Sequence, residues 1–153
     1  MLETTLVLLK PDTVQRNLIG EIISRFERAG LRIAGMKLMQ PSLELIETHY
    51  DEHRARPFFG ELVDFLQEGP VVALAVQGLG SIATVRKLRG PTNPADAQPG
   101  TICGDYAHAL ARGRNLVHAS ANSEDAAREL GLWFTANELV SYSRYSDPAT
   151  LGE

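Results

Sequence analysis

The chain has 153 residues, 44% hydrophobic and 22% charged, the balance of an ordinary globular protein long enough to bury a sizeable core. A net charge of −4 and a sequence pI of about 5.6 argue against a general nucleic-acid binder, which needs a basic stripe, but leave room for a small phosphorylated ligand held by a few cations. One cysteine, Cys103, cannot close an intramolecular disulfide and points to a reducing, cytoplasmic setting. The opening MLETTLVLLKPD lacks a basic region ahead of its apolar run and does not read as a signal peptide, and no apolar run approaches the ~20 residues of a membrane span. No repeat or linker divides the sequence, so residues 1–153 are expected to form one domain.

The elements follow in order. TTLVLLK (4–10) is fully apolar, ends at Pro11 and reads as a buried central strand. NLIGEIISRFERAG carries Leu18, Ile19, Ile22, Ile23 and Phe26 at helical spacing, with Gly30 as its stop. LRIAGMKLM (31–39) alternates as a second strand. Pro41 and Ser42 open a helix with Leu43, Ile46 and Tyr50 on one face. Pro57 opens another, with Phe58, Phe59, Leu62, Val63 and Leu66 as its apolar stripe. PVVALAV (70–76) is a third strand. SIATVRKLRG (81–90) is a short helix with Ile82, Val85 and Leu88 inward and Arg86, Lys87 and Arg89 outward; for Arg89 a solvated face is expected. Residues 90–113 show no clear periodicity and are dense in Gly, Pro, Asn and Asp, a length that is often functional in a loop. NLVHA (115–119) is the fourth strand. NSEDAARELGLWF is the last clear helix, capped by Asn122 or Ser123, with Ala126, Leu130 and Trp133 inward. The tail SYSRYSDPATLGE is polar and is expected to wrap the surface.

This order predicts an α/β (α+β) chain of ferredoxin-like βαββαβ type, a four-stranded antiparallel sheet with helices packed on one face. No G-x-G-x-x-G follows the first strand and no G-x-x-x-x-G-K-[ST] occurs, which disfavours a Rossmann domain and excludes a P-loop. An RNA-binding domain of the same topology fares worst, because the balance is acidic and no strand carries RNP-like aromatics.

The segment GRNLVHAS places His118 beside Leu116 and Val117. Such a histidine is either a satisfied core residue or a nucleophile. A nucleophilic imidazole needs one ring nitrogen unprotonated and the other donating to an acceptor. Ser120 shares its strand face, and Glu129, eleven residues on, sits where its helix can reach back. Phosphoryl transfer then asks for a cradle of cations and polar groups. Candidates are Lys10 at the end of the first strand, Arg86, Thr92 and Asn115, with Tyr50 and Phe58 flanking the turn at Pro57 as rings for a base. Each also has a bland role: Lys10 could snorkel, Arg86 could be solvated, and either ring could be core.

The segments LVLLKPDTVQRNLIGEI, HYDEHRARPFF, GPVVALAVQG, TNPADAQPGTI, GRNLVH and SEDAAREL–LWF together resemble the nucleoside diphosphate kinase family, in the family's order, over about residues 4–140. The resemblance implies transfer of the γ-phosphate of a nucleoside triphosphate (ATP) to a nucleoside diphosphate, by a ping-pong route through a phosphohistidine at His118. It implies that Lys10 contacts the transferred phosphate and Glu129 orients the ring. Arg86 and Thr92 would hold the outer phosphates, Tyr50 and Asn115 the sugar and phosphates, and Phe58 the base. Stacking is nearly blind to base identity, so broad nucleotide use follows. Mg²⁺ would arrive with the nucleotide, without a metal site of the protein's own. A homo-oligomer, a hexamer or a tetramer of dimers, is implied as well, with neither nucleic acid nor membrane as main partner.

Three departures stand out. Cys103 occupies the place of a phosphate-contacting arginine, a loss of roughly 1.5–3 kcal/mol for a charge-assisted contact. The segment from Cys103 to His118 is about two residues longer than usual and introduces Arg112, a candidate substitute cation. Ala119 and Ala121 stand in HASA where the family has HGSD. These departures motivate an alternative reading, a family member with weakened or lost kinase activity acting as a nucleotide-binding or scaffold protein.

Overall fold

Residues 2–9 form the strand from which the rest of the sheet is organised. The computed structural model describes residues 1–107 and 114–152. Strand β1 (Leu2–Leu9) pairs antiparallel with β3 (Val71–Leu79) on one side and with β4 (Val117–Ala119) on the other; β2 (Arg32–Met39) pairs antiparallel with β3. The sheet order is therefore β2-β3-β1-β4, the order of the split βαβ fold. An apolar run without alternation suits β1 because both of its faces are covered.

The helices lie on both faces, which corrects the expectation of one. Leu6, Leu8, Ala73 and Ala75 face a cluster completed by Ile46 of α3 (Leu43–His49), Leu62 and Leu66 of α4 (Phe59–Leu66) and Trp133 of α7 (Ser123–Trp133). Val7, Leu9, Leu74 and Val76 face the other way, onto Ile22 and Phe26 of α2 (Ile19–Arg28), Val85 of α5 (Ser81–Arg89) and Ile102. Each fully buried aliphatic side chain contributes about 1.5–3 kcal/mol relative to exposure.

Two further differences concern local order. The stretch after β1 holds a short α1 (Pro11–Gln15), where Pro11 has the φ of a first helical turn and no N–H to lose. Within residues 90–113 the chain forms a 3₁₀ turn at Pro94–Asp96 and a short α6 (Ile102–Tyr106) capped by the Thr101 hydroxyl, which accepts from Gly104 N. Both are too short to show a period. Gly90 ends α5 at φ 92°, a backbone that L side chains rarely adopt, and so turns the chain toward Thr92. Arg25 of α2 clips this region by donating to Gly100 O at 3.0 Å and pairing with Asp105 at 2.6 Å.

The tail wraps the surface as expected and adds α8 (Asp147–Thr150). Asp147 pairs with buried Arg32 at 2.9 Å, and Arg144 donates to the carbonyls of Leu31 and Gly30. No described helix is long and apolar enough to cross a membrane.

Candidate active site

The site begins where β1 ends. Lys10 N donates to Leu116 O at 2.8 Å, and Val117 N donates to Asn115 O at 2.8 Å, closing a γ-turn around Leu116 at φ 72°. A leucine in the left-handed region costs on the order of 1–3 kcal/mol and persists only where surroundings over-determine it. Here they do: the Thr13 hydroxyl donates to Leu116 O at 2.7 Å, and Leu116 N donates to the Asp12 carboxylate at 3.0 Å. The turn holds Asn115 against Lys10 and starts β4.

Register then aims His118. It lies opposite Leu8, whose side chain belongs to the cluster under α3, α4 and α7, so the imidazole rises on that face. His118 Nε2 meets Glu129 Oε1 at 2.8 Å, and the Ser120 hydroxyl donates to the same oxygen at 2.7 Å. Glu129 is an acceptor, which assigns the proton to Nε2 and leaves Nδ1 with a lone pair. Burial holds the His118 pKa well below the usual histidine value, and the positive charges of Lys10, Arg89, Arg86 and Arg128 push it the same way. The ring is therefore neutral at pH 7, the state a nucleophile requires.

The polar groups around it are linked. Lys10 is only 6% exposed and does not snorkel; its ammonium donates to Asn115 Oδ1 at 2.7 Å. Burial, with the nearby charge of Arg89, lowers its pKa to about 8. Asn115 Nδ2 donates to Thr92 O at 2.8 Å, tying the loop after α5 to the γ-turn. Arg86 Nη1 donates to Ala119 O at 3.0 Å. Tyr50 is buried, and burial followed by the Glu129 charge raises its pKa, so it stays a neutral phenol. Phe58 is half-buried against His53, ring centroids 5.6 Å apart.

Lys10, Tyr50, Phe58, Arg86, Thr92, Asn115, His118 and Glu129 all line one open cavity of about 350 Å³, large enough for a small ligand. These eight span residues 10 to 129, and the fold brings every one of them together. Arg112 lies outside the described residues. Arg89 contradicts the expectation of a solvated face: it is 5% exposed, lines the same cavity and donates to Thr92 Oγ1 at 3.1 Å. Its position four residues after buried Val85 places it on the inner face of α5.

His49 was not singled out in the sequence. It is buried at the end of α3, its ring packs edge-on against His118 with centroids 4.5 Å apart, and its Nδ1 accepts from Trp133 Nε1 at 3.0 Å. Burial, then the neighbouring His118, holds its pKa well below the usual histidine value. A lone histidine at a helix end carries no sequence signal of this role.

Among the described residues, the one grouping of three potential metal ligands is His49, His118 and Glu129, with donor atoms within 4.8 Å of one another. Two imidazoles and a carboxylate are not the oxygen-rich octahedron that Mg²⁺ demands. The residues present fit an ion carried in on phosphate oxygens and water.

Cations converging on a neutral imidazole suit phosphoryl transfer, and on this sheet they mark an α+β phosphotransferase. The comparisons agree. Residues 3–139 match the family model described as nucleoside diphosphate kinase. The nucleoside diphosphate kinase of Oceanobacillus iheyensis is 53% identical over 146 residues, covering 95% of this chain and 97% of the relative; that of Brevibacillus brevis is 54% identical, covering 94% and 96%. Among solved structures, the Halobacterium salinarum enzyme in complex with CDP superposes with a TM-score of 0.91 at 45% identity, covering 96% of this chain and 97% of that one. The Borrelia burgdorferi enzyme, a transition-state mimic with bound vanadate and ADP, gives 0.93 at 38% identity over 97% and 96%. The chain belongs to the nucleoside diphosphate kinase family, and the scaffold alternative is not favoured.

Proposed function

We propose that His118 accepts the γ-phosphate of a nucleoside triphosphate on Nδ1 and passes it to a nucleoside diphosphate, so that the enzyme cycles through a phosphohistidine. The observation that carries this reading is the Nε2–Glu129 contact, which leaves Nδ1 as the free nitrogen of a neutral ring inside a cation-lined cavity.

Each residue has a task that follows from its place. The Nδ1 lone pair attacks phosphorus, the bond from phosphorus to the diphosphate leaving group breaks, and the second half-reaction reverses these steps on a new diphosphate. As the ring gains positive charge, Glu129 holds the Nε2 proton more tightly than in the resting state, so its help falls on the transition state. Lys10 and Arg86 neutralise the oxygens of the moving and outer phosphates. The Thr92 hydroxyl supports those outer phosphates, Asn115 fixes Lys10 and meets the sugar, Tyr50 flanks it, and Phe58 offers a face for the base. Mg²⁺ bound with the nucleotide would supply further charge neutralisation on the phosphates. The relatives solved with CDP and with vanadate and ADP support nucleotides as the partners.

A cytoplasmic homo-oligomer is proposed with this activity. The buried free thiol of Cys103 supports a reducing setting, and β2, last in the sheet, exposes Met36 and Leu38, which suits a second copy. The reaction is tested by steady-state exchange of phosphate between ATP and GDP. Parallel double-reciprocal lines at varied ATP and GDP are expected; intersecting lines would exclude the ping-pong route.

A further inference from the structure

Arg89 is the cation of this cavity that the scheme above leaves without a task. Among the described residues no carboxylate lies within ion-pair reach of it, its Nε has no hydrogen-bond partner, and its one hydrogen bond at the loop is to the Thr92 hydroxyl. A guanidinium this deeply buried without a counter-charge is costly, by several kcal/mol in general, unless an anion completes it. Burial and the like charge of Arg86 both disfavour its charged form, which fits a site waiting for negative charge.

Cys103 explains the room it occupies. The thiol is buried near the start of α6, donates to Asn115 O at 3.4 Å and lies against the Arg89 guanidinium. The resemblance places an arginine at position 103. A cysteine there is shorter than an arginine by most of the side chain, and α5, which packs on α6, carries Arg89 against the thiol.

We propose that Arg89 supplies the phosphate-binding guanidinium that position 103 lacks, so that a nucleotide's phosphates meet Lys10, Arg86 and Arg89. In this arrangement the cation has moved from one helix to its neighbour while its place in the cavity is kept. The assignment rests on the kinase activity proposed above and removes the need for Arg112.

The test uses the full chain as wild type, Arg89→Leu, Cys103→Arg and the double variant Arg89→Leu/Cys103→Arg. Affinity for Mg·ADP is read by calorimetry, phosphoenzyme formation from labelled ATP by rapid quench, and folding by thermal melting. Arg89→Leu should weaken ADP binding and slow phosphorylation by roughly 10- to 150-fold, the range for losing a charge-assisted contact, without a fall in melting temperature. Cys103→Arg alone sets two guanidinium groups in one space and should also weaken binding. The double variant should recover most of the loss, because the charge returns from the other wall; a purely structural arginine would not be replaced in this way. If Arg89→Leu does not fold, Arg89→Lys keeps the charge without the fork and should bind ADP with intermediate affinity. Wild-type ADP affinity in Arg89→Leu, or a double variant no better than Arg89→Leu, would overturn the assignment. Because binding is read apart from phosphorylation, an unlabelled wild type counts against the proposed activity, whereas unchanged affinity in the variant counts against Arg89.

Discussion

Removing the Glu129 carboxylate tests how the histidine is held. One buried oxygen accepts from His118 at 2.8 Å and from Ser120 at 2.7 Å, and Glu129 is 4% exposed, so water does not replace it readily. A hydrogen bond to a charged group contributes about 1.5–3 kcal/mol, and that to His118 strengthens as the ring becomes cationic. Glu129→Ala should therefore slow phosphoenzyme formation by about 10- to 150-fold. Glu129→Gln keeps a neutral acceptor, whose bond is worth about 1 kcal/mol, so only the remaining ~0.5–2 kcal/mol is lost and the rate should fall by about 2- to 30-fold. Rapid-quench measurement of labelled enzyme gives the rates, and ADP affinity measured alongside should change little. Phosphorylation of the alanine variant within twofold of wild type, or a lost rate matched by lost ADP affinity, would refute this role of Glu129.

Further outcomes follow from the same geometry. The rate of phosphorylation should stay level as pH falls through 6.5, because burial and the surrounding cations keep His118 neutral, and Arg86→Gln should move the acid limb upward; a wild-type limb above pH 6.5 contradicts this. Stability should show the opposite sensitivity. His49 and His118 both have lowered pKa values, so below pH 6.5 the unfolded chain binds protons that the folded chain refuses. Stability present above pH 6.5 is then lost on acidification, by up to about 1.4 kcal/mol per pH unit for each ring, until the folded values are reached. Urea midpoints at pH 7.5 and 5.5 measure this, and His118→Ala should reduce the slope. Gly104→Ala should disrupt the loop before α6, since the added Cβ would overlap the Gln98 carbonyl oxygen; a melting temperature equal to wild type would show that the loop can give way.

Much of the fold was legible because its signals are local. The unbroken apolar run of β1 and the stripes of α2, α4 and α7 reflect burial, and burial writes a period into the sequence. The second covered face was not legible from element order, because order does not say to which side each helix folds. The short α1 and α6 span five residues each, less than two turns, and leave no period to read. At the site, His118, Lys10, Glu129 and the other five candidates were legible through the order of segments, and the fold brings all eight to one cavity. The burial of Arg89 was not legible from its charge, although its spacing, four residues after Val85, puts it on the buried face of α5. His49 was missed because its role depends on two partners distant in sequence, His118 and Trp133.

Phosphate transfer through His118 is tested most directly by a single-turnover experiment. The protein is incubated with γ-labelled ATP and Mg²⁺, the label is located, and GDP is added. An acid-labile phosphate on His118 that leaves as labelled GTP is expected, with no labelling of His118→Ala. Absence of label, label that GDP cannot remove, or labelling that survives His118→Ala would contradict transfer through His118.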